Sequence, residues 1–219
     1  MRRTLLDYLY ENASREVDTA FIHRPRLRRH NWTYHELARR SFQFARELEA
    51  RSIGHGDRVL IWAENSPEWV AAFYGTLLRG AIAVPLDEQS STDFAVRVSE
   101  KTKPKLLLVA RSVDRSALDL PFVPLDDFAN ALADRSGDIY QATQIQPTDI
   151  VEIVFTSGTT SIPKGVELTH ENLLANIAPI EREIARYIRW KFLVHPLKFL
   201  SVLPLSHVFG QMVCGARKQ

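Results

Sequence analysis

The sequence has little of several things that would announce a function. It holds one cysteine, Cys214, so no disulfide framework can form within the chain, and a lone thiol fits a reducing compartment. No run of about 18 apolar residues occurs, which leaves no candidate membrane-spanning helix. Near the N-terminus "LLDYLY" is interrupted by Asp7 and is too short and polar for a signal-peptide core. These features lead us to expect a cytoplasmic protein. The formal net charge of +2 is too small to argue for nucleic acid. Internal repeats, low-complexity linkers and an acidic tail are also missing, so nothing marks a domain boundary.

What is present has globular statistics, with 45% hydrophobic and 25% charged residues in 219. In "NWTYHELARRSFQFARELEARSIGHGD", Thr33 and Glu36 have capping-box spacing. Leu37, Ser41, Phe44 and Leu48 share one helical face, and Gly54 and Gly56 mark the end. "RVLIWA" follows as a buried strand. Ser66 then caps a helix with Pro67 in its first position and Gly80 as its stop. "AIAVPL", a helix from Asp93 to Lys101, "KLLLVA", "FVPL" and a short helix from Asp126 to about Ala133 continue the alternation. Asp134 to Asp149 is the least patterned stretch and reads as a surface crossing. Beyond it come the strands "IVEIVF" and "GVELTH", then a helix beginning near Glu171 or Asn172, which Pro179 should kink or which truly begins there. A strand in "KFLSVL" and a turn at Pro204 complete the pattern. The predicted class is α/β, a layered and largely parallel sheet with helices on both faces.

The stretch "TSGTTSIPKGVELTH", Thr156 to His170, carries the chemistry. A strand that feeds a loop of Ser, Thr and Gly exposes consecutive N–H groups and hydroxyls, a donor set that suits phosphate oxygens, and Lys164 adds a cation. It is not a Walker loop. Gly158 lacks its second glycine partner, Pro163 standing before the lysine, and Lys164 is followed by Gly165 where a Ser or Thr would hold magnesium.

"IVFTSGTTSIPKGVELTHENL" resembles the signature phosphate loop of the adenylate-forming superfamily, whose usual form is T-S-G-T-T-G-x-P-K-G-V. "LPLSHVFG", Leu203 to Gly210, resembles its next motif in a wording most like the long-chain fatty acid–CoA ligases. "WTYHELARR", "GDRVLIWAENSPEWVAAFYGTLLRGAIAVPLD" and "KPKLLLVA" extend the likeness from about Leu5 to Gly210. The resemblance implies that a carboxylate attacks the α-phosphorus of ATP with magnesium present, that pyrophosphate leaves, and that coenzyme A takes the acyl group. On that match Thr156, Ser157, Gly158, Thr159, Thr160 and Lys164 face the β- and γ-phosphates, with Ser161 a cofactor-binding candidate that adds a donor, and with Gly158 and Gly165 serving conformation and close approach. His207 is assigned to substrate positioning beside the carboxylate and adenylate. It is not a base, because a carboxylate nucleophile is already ionised near neutral pH.

Ser161 departs from the family's glycine, and two readings follow: a loop that tolerates serine, or a weakened hold on the nucleotide. "HRPRLRRH", His23 to His30, reads as a basic turn between two strands in preference to a nucleic-acid patch, since no aromatics interleave with its arginines. "RYIRWKFLVHPLKF" alternates basic and aromatic residues in a way that suits contact with an anionic membrane face. A helix end with solvated charges over a buried strand is the simpler account. His170 and His195 lack metal-ligand spacing, so no zinc is expected. The family's adenine, ribose and magnesium motifs and its lysine-bearing small domain are not found in the sequence. The expectation is therefore a partial N-terminal AMP-binding domain over residues 1–219, whose unfinished sheet favours self-association. Two functions stay open: part of an acyl-CoA synthetase, or a non-catalytic remnant that binds phosphate or a partner.

Overall fold

The computed structural model describes residues 2–24, 29–142, 144–156, 163–187 and 205–206. Helix α1 (Leu6–Asn12) leads into an antiparallel hairpin of β1 (Thr19–His23) and β2 (His30–Thr33). The chain continues through α2 (Tyr34–Ala50), β3 (Arg58–Trp62), α3 (Pro67–Leu78), β4 (Ile82–Leu86), α4 (Thr92–Thr102), β5 (Leu106–Val109) and β6 (Phe122–Pro124). After these come α5 (Phe128–Ala131), β7 (Ile150–Thr156), β8 (Lys164–Thr169) and α6 (His170–Tyr187). Strands β3 to β8 form one sheet in the order β6-β5-β3-β4-β7-β8, parallel throughout except for β8, which pairs antiparallel with β7. The arginine-rich stretch is thus a connection between two strands, as its sequence suggests, with residues 25–28 outside the described part.

Alternation along the strands explains the layers. Val59 and Ile61 of β3, with Leu106 and Leu108 of β5, pack under α1, α2, α3, α5 and the start of α6. The intervening Leu60, Trp62, Leu107 and Val109 pack with Ala95 and Val98 of α4 on the other face. Because side chains of a strand alternate, a run that is apolar at every position must be covered on both sides. Helices begin where the caps fall. The Glu36 amide donates to Thr33 Oγ1 at 3.1 Å and the Trp69 amide to Ser66 Oγ at 3.1 Å. The carboxylate of Glu36 completes no reciprocal box, pairing instead with Arg39 and Arg40. Gly80, at φ 65°, turns the chain from α3 into β4. Helix α6 starts at His170, where Thr169 and Asn172 cap each other reciprocally at 3.1 and 3.2 Å, and it continues past Pro179, which is not its beginning.

The unpatterned crossing is held by polar groups of α2 and α3. Arg46 donates to the carbonyls of Ser136 and Asp138, and Gln43 to those of Leu132 and Arg135. Arg79 reaches the Tyr140 hydroxyl. Buried Glu47 pairs with both Arg51 (2.6 Å) and Arg135 (2.7 Å). Burial pushes its carboxyl up, but the hydrogen bonds from Arg135 and Arg51 outweigh this and hold it below the ordinary range. Among the described residues no helix is long and apolar enough to cross a membrane.

The N-terminus is tied to α6. Arg2 pairs with Glu181 at 2.9 Å and lies over the Tyr8 ring, while the Leu5 amide donates to Nδ1 of His170 at 3.2 Å. Burial pushes the His170 pKa down to about 4, against the smaller opposing pull of Asp149 and Asp7. Above the ordinary histidine value of about 6.5 the ring is neutral in both folded and unfolded chains. Between that value and about 4 the unfolded chain takes up a proton that the native one refuses, so stability falls on acidification, by about 3 kcal/mol across the window. Denaturant unfolding should show this loss in the native chain and a much flatter profile between pH 6.5 and 4.5 for His170→Gln. Equal slopes would place the acid lability elsewhere.

Candidate functional site

The loop between β7 and β8 has a well-defined neck. Strands β7 and β8 pair in register Phe155↔Gly165 and Thr156↔Lys164, so the chain leaves the sheet after Thr156 and re-enters it at Lys164. Ser157, Gly158, Thr159, Thr160 and Ser161 lie outside the described residues, and of Thr156 only the backbone is described, as the last residue of β7. Lys164 opens β8 with an exposed side chain. Gly165 has a clear packing reason. A Cβ built on it would stand 2.9 Å from Ile153 Cγ2 and 2.9 Å from Phe155 Cζ, closer than side chains tolerate. The glycine therefore lets the Phe155 ring close over the neck.

Phe155 joins the apolar cluster of Ala95 and Val98, which fastens the neck to α4. From the last turn of the same helix, Lys101 Nζ donates to the Pro163 carbonyl at 2.9 Å and stands 5.9 Å from the centre of the Phe155 ring. Pro163 is buried.

The second motif is described at Leu205 and Ser206, both buried; His207 lies outside the described residues. The Leu205 amide donates to Asn65 Oδ1 at 2.6 Å. Asn65 follows the C-terminal end of β3 and immediately precedes Ser66, the cap of α3. Strands β3, β4 and β7 are parallel, so Asn65 with its bound turn and the Thr156–Lys164 neck stand at the same, carboxyl-terminal edge of one sheet. Open α/β sheets place ligands at that edge. Sequence reasoning had no signal for Asn65 beyond its place before a helix cap, nor for Lys101 beyond a lysine in a last helical turn. Both act across long sequence separations.

The neck of the first motif and the buried turn of the second thus share one strand edge of a largely parallel α/β layer. The family model for AMP-binding enzymes matches residues 9–216, and the chain belongs to that family. It is 30% identical over 208 residues to the 3-[(3aS,4S,7aS)-7a-methyl-1,5-dioxo-octahydro-1H-inden-4-yl]propanoyl:CoA ligase of Rhodococcus jostii, covering 81% of this chain and 39% of that protein. It is also 34% identical over 152 residues to the L-proline--[L-prolyl-carrier protein] ligase of Pseudomonas fluorescens, covering 65% of this chain and 30% of that one. The chain therefore spans between 30% and 39% of the length of these curated relatives. A fatty acyl-adenylate ligase from L. pneumophila, solved in complex with acyl adenylate and pyrophosphate, superposes with a TM-score of 0.70 at 27% identity. That superposition covers 81% of this chain and 32% of that one.

The packing at the neck yields a paired prediction. Gly165→Ala should cost about 1–3 kcal/mol by forcing Phe155 out of its place. Lys164→Ala, at the adjacent exposed position, should stay within about 0.5 kcal/mol of the native chain. Urea denaturation of the two variants beside the native chain measures both, and an unaltered midpoint for Gly165→Ala would show that the ring gives way freely.

Proposed function

We propose that this chain forms the pyrophosphate-handling part of an AMP-forming acid–thiol ligase, which activates a fatty acid as its acyl-adenylate and passes it to coenzyme A. The observation that supports this most directly is that the neck of the phosphate loop and the Leu205–Ser206 turn share one strand edge. A leaving pyrophosphate carries concentrated negative charge. Preorganised N–H and hydroxyl donors from Thr156 to Ser161, with the Lys164 ammonium, stabilise that charge as it develops. Each such charge-assisted bond contributes about 1.5–3 kcal/mol. His207, two residues after the amide held by Asn65, positions the carboxylate. Magnesium supplied with ATP neutralises phosphate charge when bound. Long-chain wording in "LPLSHVFG" favours the fatty acid over the other acids handled by relatives, and the lone Cys214 fits a cytoplasmic setting.

In the protein with its remaining family motifs in place, Lys164→Ala should lower ATP–pyrophosphate exchange at least about a hundredfold, on the order of 2.7 kcal/mol, with the fold intact. Unchanged exchange would remove Lys164 from the mechanism. Hydroxylamine trapping across short to long fatty acids and proline identifies the acid, and trapping with proline but with no fatty acid would overturn the substrate assignment.

A further inference from the structure

We infer that Lys101 is a positioning residue for the phosphate loop, a clamp that holds both ends of its neck from a neighbouring helix. The inference deepens the reading of that loop as a pyrophosphate site and rests on it. One ammonium group addresses both flanks: it donates to the carbonyl of Pro163, the residue directly before Lys164, and lies over the ring of Phe155, the residue directly before Thr156, at 5.9 Å from its centre. The two flanks are themselves paired across β7 and β8, so Lys101 ties a third element to the place where the chain leaves and re-enters the sheet.

A lysine in the last turn of a helix commonly serves that helix's own carbonyls. Here that role is taken. Arg58 donates to the Thr102 carbonyl at 2.6 Å and to the Lys103 carbonyl at 3.2 Å, and the Lys103 amide closes on the Ser99 carbonyl. Arg58 therefore terminates α4, and Lys101 projects its charge to the neck instead. The Pro163 nitrogen has no hydrogen to donate, so this residue's carbonyl is its only backbone group for a tether. Fixing that carbonyl fixes the peptide plane leading into Lys164 and thereby the direction from which Lys164 enters the phosphate site. Helix α4 packs on the sheet through Ala95 and Val98 beside Phe155, which gives the clamp a rigid base.

The test is hydrogen exchange on the chain, comparing native, Lys101→Arg and Lys101→Met, first without ligand and then with magnesium pyrophosphate. Without ligand, Lys101→Met should speed exchange of amides at residues 155–156 and 164–166 by about tenfold while β3 and β5 stay unchanged, and Lys101→Arg should stay near the native rates. Native rates at the neck in Lys101→Met would overturn the clamp. With magnesium pyrophosphate, the native chain should gain protection at the neck, and Lys101→Met should need about tenfold more ligand for the same protection. If the neck loosens in Lys101→Met but the apparent affinity is native, the clamp has no bearing on the site and the inference falls. No protection of the native chain by pyrophosphate would instead sink the reading of the loop, and the ligand-free rates would still decide the clamp.

Discussion

The structure depends on the burial of β3 from both sides. Val59, Leu60, Ile61 and Trp62 are all at most 1% exposed, so neither face of the strand can be left to water. Helices must cover both faces, and the connections from β3 to β4 and from β4 to β5 supply α3 and α4 to opposite sides. Parallel strands joined in this way end together. The chain segments that follow β3 and β7 are consequently delivered to one edge, which is how Asn65 comes to stand at the same rim as the exit of the loop between β7 and β8.

Several basic side chains have structural work among the described residues. Arg58 closes α4, Arg46, with the neutral amide of Gln43, holds the carbonyls of the crossing, Arg79 joins Ile53 and Tyr140, and Arg135 and Arg51 neutralise buried Glu47. Buried or half-buried carbonyls need donors, and a guanidinium supplies several in a planar fork. A crossing of little hydrophobic pattern is thereby ordered by residues far away in sequence.

Much of this was legible in the sequence. The caps at Thr33 and Ser66, the continuous apolar runs at residues 59–62 and 106–109, and the glycine at 80 are local signals, and local physics placed α2, α3, β3 and β5 close to where they occur. The start of α6 was less legible, since Pro179 offered a rival beginning and the cap at Thr169 shows only once Asn172 is seen to return its hydrogen bond. At the site, Lys164 and Gly165 stood out because a short motif carries them. Asn65 and Lys101 did not, for their partners lie 140 and 62 residues away and nothing in either neighbourhood encodes the meeting. Long-range polar contacts leave no periodicity.

The antiparallel pairing of β7 with β8 sets a rule about length. Thr156 and Lys164 face each other as register partners, so the arc between them is closed like a ring whose circumference is seven residues, 157–163. Replacing one residue of the arc, as serine replaces glycine at 161, leaves the ring the same size. Adding or removing one would force either a bulge or a slip of β8 by a single place, and a slip turns every side chain of that strand to the opposite face. Gly165 would then no longer lie against Phe155, and the Lys164 side chain would move to the opposite face of the sheet. A change in the span of the loop therefore disturbs the pairing of β7 with β8 in a way that a substitution within it does not.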